Sequence, residues 1–143
     1  MIAIACDHGG FDLKLKVIEH LKENGIECKD FGCYDHKSCD YPDFARPAAE
    51  AVASGECEKG IVICTTGIGV AITANKVKGI RCAQCSDSLS AKLTRLHNDA
   101  NMLAMGAGII GTNLALEITD IFLNTEFSGE ERHARRIGKI EKD

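Results

Sequence analysis

Residues 60–69 read Gly60-Ile61-Val62-Ile63-Cys64-Thr65-Thr66-Gly67-Ile68-Gly69. After Gly60, four residues run without a polar break, the pattern of a strand covered on both faces, as in a parallel sheet. Two threonines and two glycines then form a turn, and a helix is expected from about Val70 to Lys76. A buried strand, a glycine-bearing turn and a helix make up half of a βαβ unit.

The same alternation repeats on either side. Ile2-Ala3-Ile4-Ala5-Cys6 reads as a strand, Asp7-His8-Gly9-Gly10 as a turn, and Phe11, Leu15, Ile18 and Leu21 or Lys22 follow at helical spacing. Asn24-Gly25 is a stop signal. Ile26 to Phe31 is the next expected strand. A polar loop from Gly32 to Pro42 leads to an alanine-rich helix over about 44–53, with Pro47 in its first turn. Further along, a strand is expected over 80–85, a helix over 88–97, a short strand over 101–105, a helix over 112–123 and a basic helix over about 130–141. Five strands separated by helices predict an α/β fold. The chain should form a single doubly wound, Rossmann-like domain over 1–143, its five-stranded parallel sheet flanked by helices and followed by a basic C-terminal helix.

Composition fits one such domain. The 143 residues are 45% hydrophobic and 27% charged, too apolar for a disordered chain. Seventeen basic and 21 acidic side chains leave a net charge of −4, and there is no Trp. That balance argues against a nucleic-acid groove, a base-stacking platform or a polybasic membrane surface. No apolar stretch approaches a membrane span, and Asp7 and His8 interrupt the apolar opening after six residues. A cytoplasmic protein is expected. The eight cysteines sit mostly inside apolar runs, where Cys behaves as a small hydrophobe. Cys82-Ala-Gln-Cys85 has a zinc or redox spacing but no second pair, and Cys33, His36 and Cys39 lack a fourth ligand. Neither a metal nor a cofactor is expected.

Sites in such sheets lie beyond the carboxyl ends of the strands. Cys64 ends the third expected strand, beside glycines that let backbone N–H groups approach an anion at a helix N-terminus. That field would lower the pKa of a thiol from its reference near 8.5. Cys64 therefore reads as an acid/base or nucleophilic thiol beside an oxyanion cradle, and equally as a buried strand-end residue. The loop is neither a Walker A motif nor a dinucleotide fingerprint. Asp7 and His8 would bring a carboxylate and an imidazole to the same cleft, or merely cap the first helix. His97 closes the fourth helix, where a histidine is often only a charge partner. Arg132 and Arg136, four apart, would project from one helical face and suit a phosphate monoester.

Six segments together resemble ribose 5-phosphate isomerases of the B type, in the family that also holds galactose 6-phosphate isomerase subunits. They are Cys6-Asp7-His8-Gly9-Gly10, Asp40-Tyr41-Pro42-Asp43, residues 60–69, Ala74-Asn75-Lys76 with Gly79-Ile80-Arg81, His97-Asn98-Asp99-Ala100-Asn101, and Arg132-His133-Ala134-Arg135-Arg136. The resemblance implies a metal-free aldose–ketose isomerase acting on a sugar phosphate. It also implies a homodimer with active sites at the subunit interface, and dimers that can pair into tetramers. It makes Cys64 the base that moves a proton between C1 and C2. Thr66 and the amides of Thr65, Gly67, Ile68 and Gly69 would stabilise the enediolate. His97 would open the sugar ring with Asp7 nearby, and Asn98 would hold hydroxyls. His8, Arg132 and Arg136 would hold the phosphate.

Two positions depart from the family pattern. Thr65 stands where a small Gly or Ser is usual, and Gly108 stands where an Arg is common. Losing a guanidinium should weaken anion binding by about 1–3 kcal/mol, and a more permissive enzyme is expected, tolerating longer or unphosphorylated aldoses. Replacing Gly108 with Arg would test that. The alternatives are a hexose 6-phosphate isomerase of allose or galactose type, a free-aldose isomerase, a non-catalytic sugar-phosphate-binding module, and a zinc or redox protein using Cys82 and Cys85.

Overall fold

The computed structural model describes residues 1–142; Asp143, the last residue of the expected domain, lies outside them. In chain order the elements are β1 (Ile2–Cys6), α1 (Phe11–Glu23), β2 (Cys28–Asp30), α2 (Pro42–Ala53), β3 (Lys59–Cys64), α3 (Ile68–Asn75), β4 (Cys82–Gln84), α4 (Ser88–Asn98), β5 (Met102–Gly106), α5 (Thr112–Asn124) and α6 (Glu131–Ile140). A turn of 3-10 helix at His8–Gly10 leads into α1. The sheet has the order β2-β1-β3-β5-β4, and every pairing is parallel. The expected five-stranded parallel α/β domain is therefore present.

Several bounds differ from those expected, for identifiable reasons. Only Cys28–Asp30 of the apolar segment 26–31 pairs with β1, and only Cys82–Gln84 of 80–85 pairs with β5. Of the flanking apolar residues, Phe31 and Cys85 each donate one further amide bond, to the Ile4 and Ala104 carbonyls, whereas the Ile26 and Ile80 amides bond back to Leu21 and Val77. The second helix starts at Pro42, whose missing N–H costs nothing in a first turn. Pro47 therefore falls in the second turn rather than the first. The third helix begins at Ile68, two residues early, because the left-handed Gly67 (φ 78°) completes the turn by itself.

Alternation along the strands builds two cores. Ile61 and Ile63 of β3, with Ile4, Leu103 and Met105, face Leu13, Val17 and Leu21 of α1 and Ile118 and Phe122 of α5. Val62 and Cys64, with Ala3, Ala5 and Ala104, face Ala45, Ala48 and Ala49 of α2 and Val70 and Ala74 of α3. More than half of the buried residues on the second face are alanine, so α2 and α3 lie close on the sheet. The chain crosses from β2 to β3 over β1, which makes the boundary between β1 and β3 the topological switch point. A ligand crevice is expected at that boundary.

Candidate active site

β1 and β3 end side by side, with Cys6 paired to Ile63. Asp7 and Cys64 consequently emerge at the same edge of the sheet, both buried. They line one concavity of about 410 Å³ together with Tyr41, Thr65, Thr66, Ile68, Gly69 and Ile72.

The loop after β3 is tied down from several sides. The Gly67 amide donates to Cys64 Sγ at 3.1 Å, and the Ile68 amide donates to Thr66 Oγ1 at 3.1 Å. Thr66 Oγ1 lies 3.9 Å from the sulfur. The Cys64 and Thr65 carbonyls accept from Ala107 and Gly108, both at 2.8 Å. The Thr66 carbonyl accepts from the Gln84 side chain at 2.9 Å. These bonds present the sulfur at the start of α3, whose cap residue Gly67 offers no side chain to close the helix end. Two of the four amides expected to face substrate, those of Gly67 and Ile68, are thus engaged within the loop.

Asp7 both caps and lines the crevice. Its Oδ1 accepts from the amides of Gly9 (2.9 Å) and Gly10 (3.2 Å), capping the 3-10 turn that leads into α1. His8 is exposed at the rim, its Nδ1 accepting from the Cys39 amide at 3.2 Å. Tyr41 lies over Gly69, where a Cβ would come within 2.6 Å of the phenol ring. The segment Asp40-Tyr41-Pro42-Asp43 carried part of the resemblance, but no role for Tyr41 was legible, because this contact joins segments nearly thirty residues apart. Gln84 and Gly106 were missed for the same reason.

The remaining expected residues stand elsewhere. A helix that links parallel strands runs back against them, so α4 ends at the amino edge of the sheet. His97 and Asn98 lie there. Arg81, just before β4, donates to the Asn98 carbonyl (2.9 Å) and the Asp99 carbonyl (2.8 Å). Arg95 holds the same turn through Asp99 Oδ1 and the Ala100 carbonyl, each at 2.7 Å. The His97 ring packs on buried His133 of α6, centroids 4.5 Å apart. Arg132 and Arg136 flank His133 on α6 and are exposed, Arg132 paired with Glu130 at 3.2 Å. The length of β3, roughly 17 Å of strand, separates this group from Cys64. The expected residues therefore fall into two groups at opposite edges of the sheet.

Burial lowers the His133 pKa from its ordinary value, assisted by His97 and Arg132 and opposed by Glu130. Cys82 and Cys85 are both pushed up by burial, Cys85 to about 11. All eight cysteines are free, and among the described residues no three His, Cys, Asp or Glu side chains gather as metal ligands would.

The family model described as Ribose/Galactose Isomerase matches residues 2–140. The chain belongs to the ribose/galactose isomerase family. It is similar to ribose-5-phosphate isomerase B of Escherichia coli, with 46% identity covering 97% of this chain and 93% of the relative. The solved structure of Clostridium thermocellum ribose-5-phosphate isomerase B superimposes with a TM-score of 0.96 at 54% identity, covering 98% of this chain and 94% of that one. The Mycoplasma genitalium ribose-5-phosphate isomerase B, solved with bound ribulose-5-phosphate, gives 0.93 at 41% identity over 98% and 93% of the two chains. As a member of this family the protein is an isomerase of sugar phosphates, and no helix among its described residues is long and apolar enough to cross a membrane.

Proposed function

We propose that this isomerase interconverts ribose 5-phosphate and ribulose 5-phosphate, with Cys64 as the base and each active site completed by a second copy of the chain. The observation that carries the reading is the placement of the Cys64 sulfur. It is buried at the switch point, takes a hydrogen bond from the Gly67 amide, and shares its concavity with Asp7 and Thr66. The sulfur takes the proton from C2 of the open-chain aldose and returns it at C1. The hydroxyl proton moves between the two oxygens, so the product is an isomer and no other reactant is needed. The Thr66 hydroxyl and the open end of α3 face the enediolate, whose charge they stabilise. His8 stands at the rim to meet the phosphate.

The other groups the reaction needs are at the opposite edge of the sheet. His97 as ring-opening acid/base, Asn98 toward hydroxyls, and Arg132 and Arg136 toward phosphate reach Cys64 only from a partner copy. An apolar outer face of α3 supports this arrangement, with Ile68 50% and Ile72 57% exposed beside the crevice. A helix apolar on both sides is one that expects cover. Such a homodimer, working on phosphorylated sugars, belongs in the cytoplasm.

Turnover of ribose 5-phosphate, measured in EDTA for the parent and Cys64→Ala, tests the chemistry. The parent should be active and the variant reduced by about a thousandfold, with binding of a non-reacting sugar-acid phosphate retained. A variant that keeps its rate would place the base elsewhere.

A further inference from the structure

Thr65 lines the crevice around Cys64, and a second concavity of about 290 Å³ lies on the far side of the loops after β1 and β5 that Thr65 touches. The second is formed by Gly9, Asp12 and Lys16 at the start of α1 and by Ala107, Ile110 and Thr112 around the start of α5. Thr65 lines the first, and its side chain packs on Gly9, which lines the second. A Cβ on Gly9 would overlap Thr65 Oγ1, and a Cβ on Gly108 would lie 2.9 Å from Thr65 Cγ2. The hydroxyl therefore leans on the loop after β1, and the methyl leans on the loop after β5. The Gly108 amide holds the Thr65 carbonyl at 2.8 Å, so the backbone cannot swing the side chain clear. A β-branched residue also has few rotamers to retreat into.

We propose that Thr65 is a specificity-determining residue that ends the substrate cleft, admitting five-carbon sugar phosphates and excluding six-carbon ones. The inference rests on the functional reading above, in which the reacting carbons meet Cys64 and His8 meets the phosphate; the phosphate end then stops against Thr65, on the side of Gly9. An added carbon lengthens the substrate along that path and meets the threonine. Removing the side chain extends the first concavity toward Gly9, which lines the second. This reverses one expectation drawn from the sequence, that the departures at 65 and 108 favour longer sugars. They are one unit: Gly9 and Gly108 leave the room that Thr65 fills. Gly108→Arg alone is therefore no clean probe of phosphate binding.

The test uses the full chain as parent, Thr65→Gly, Thr65→Ala and Thr65→Val. Turnover is compared on ribose 5-phosphate and allose 6-phosphate, and calorimetry follows binding of five- and six-carbon aldonic acid phosphates, which do not react. Thr65→Gly and Thr65→Ala should raise the six-to-five-carbon ratio about tenfold or more in both assays. Thr65→Val keeps the volume and should leave the ratio unchanged within about twofold. An unchanged ratio in the Gly and Ala variants overturns the proposal, as does a Val variant that shifts as much as they do. If the parent binds the five-carbon acid but turns over neither sugar, the isomerase reading falls while the binding ratio still decides the role of Thr65. A parent that binds neither acid overturns both.

Discussion

At the scale of single residues, the loop bearing Cys64 is placed by close backbone approach as much as by hydrogen bonds. Gly106 ends β5 beneath it, and a Cβ there would lie 2.6 Å from the Thr66 carbonyl carbon and oxygen. Those are backbone atoms, held from the other side by Gln84, so they have nowhere to move. Gly106→Ala should cost about 1–3 kcal/mol of stability, as overpacking does. It should also lower kcat more than it raises KM, because the base shifts while the phosphate contacts stay. Urea unfolding and steady-state kinetics check this; a variant with parental kcat would show that the loop tolerates displacement. Lys14 shows similar economy of placement. Fully buried, it bridges the Asp30 carboxylate at 2.7 and 2.8 Å, fixing the end of β2 against α1.

At the scale of elements, α6 depends on one buried imidazole. His133 packs on His97, and Ser128 Oγ lies 3.0 Å from its Nδ1. Its pKa is held below the ordinary value by burial, then by His97 and Arg132, with Glu130 opposing and Arg136 adding to the lowering. In the unfolded chain this histidine takes its proton near pH 6.5; folded, it resists until the pH is lower. The unfolded state therefore binds more protons in that window, and stability contributed above pH 6.5 is lost as the pH falls through it. Melting at pH 7.5 and pH 5.5 should show a larger drop for the parent than for His133→Gln. Equal drops would mean that His133 contributes nothing to the acid sensitivity.

The elements also show what could be read from the sequence. The unbroken apolar run of β3 and its glycine turn were legible because a doubly covered strand has a local signature. β2 and β4 were overextended at their starts because the Ile26 and Ile80 amides bond back to Leu21 and Val77 in the preceding turns, so these residues are apolar for packing, not for pairing. Cys64, Asp7 and Thr66 were legible from strand ends and a helix start. Tyr41 over Gly69, and Thr65 between Gly9 and Gly108, were not. Each is a contact between loops distant in sequence, which no single segment can show.

At the scale of the whole molecule, six segments quoted in sequence order resolve into two groups. Asp7, His8 and residues 64–69 lie at the carboxyl edge of the sheet; His97, Asn98, Arg132 and Arg136 gather where α4 ends against α6. One chain cannot bring them together. An isologous pair of chains can, and it builds two sites at once. Mixing inactive variants tests that claim most directly. Cys64→Ala and His97→Ala should each be inactive as pure proteins, since every site lacks one group. Dissociated together and reassembled, they should regain about a quarter of the parental rate: half the dimers are then hybrids, each with one intact site. A mixture no more active than its parts would contradict the account, placing Cys64 and His97 in the same chain's site or removing one of them from the reaction.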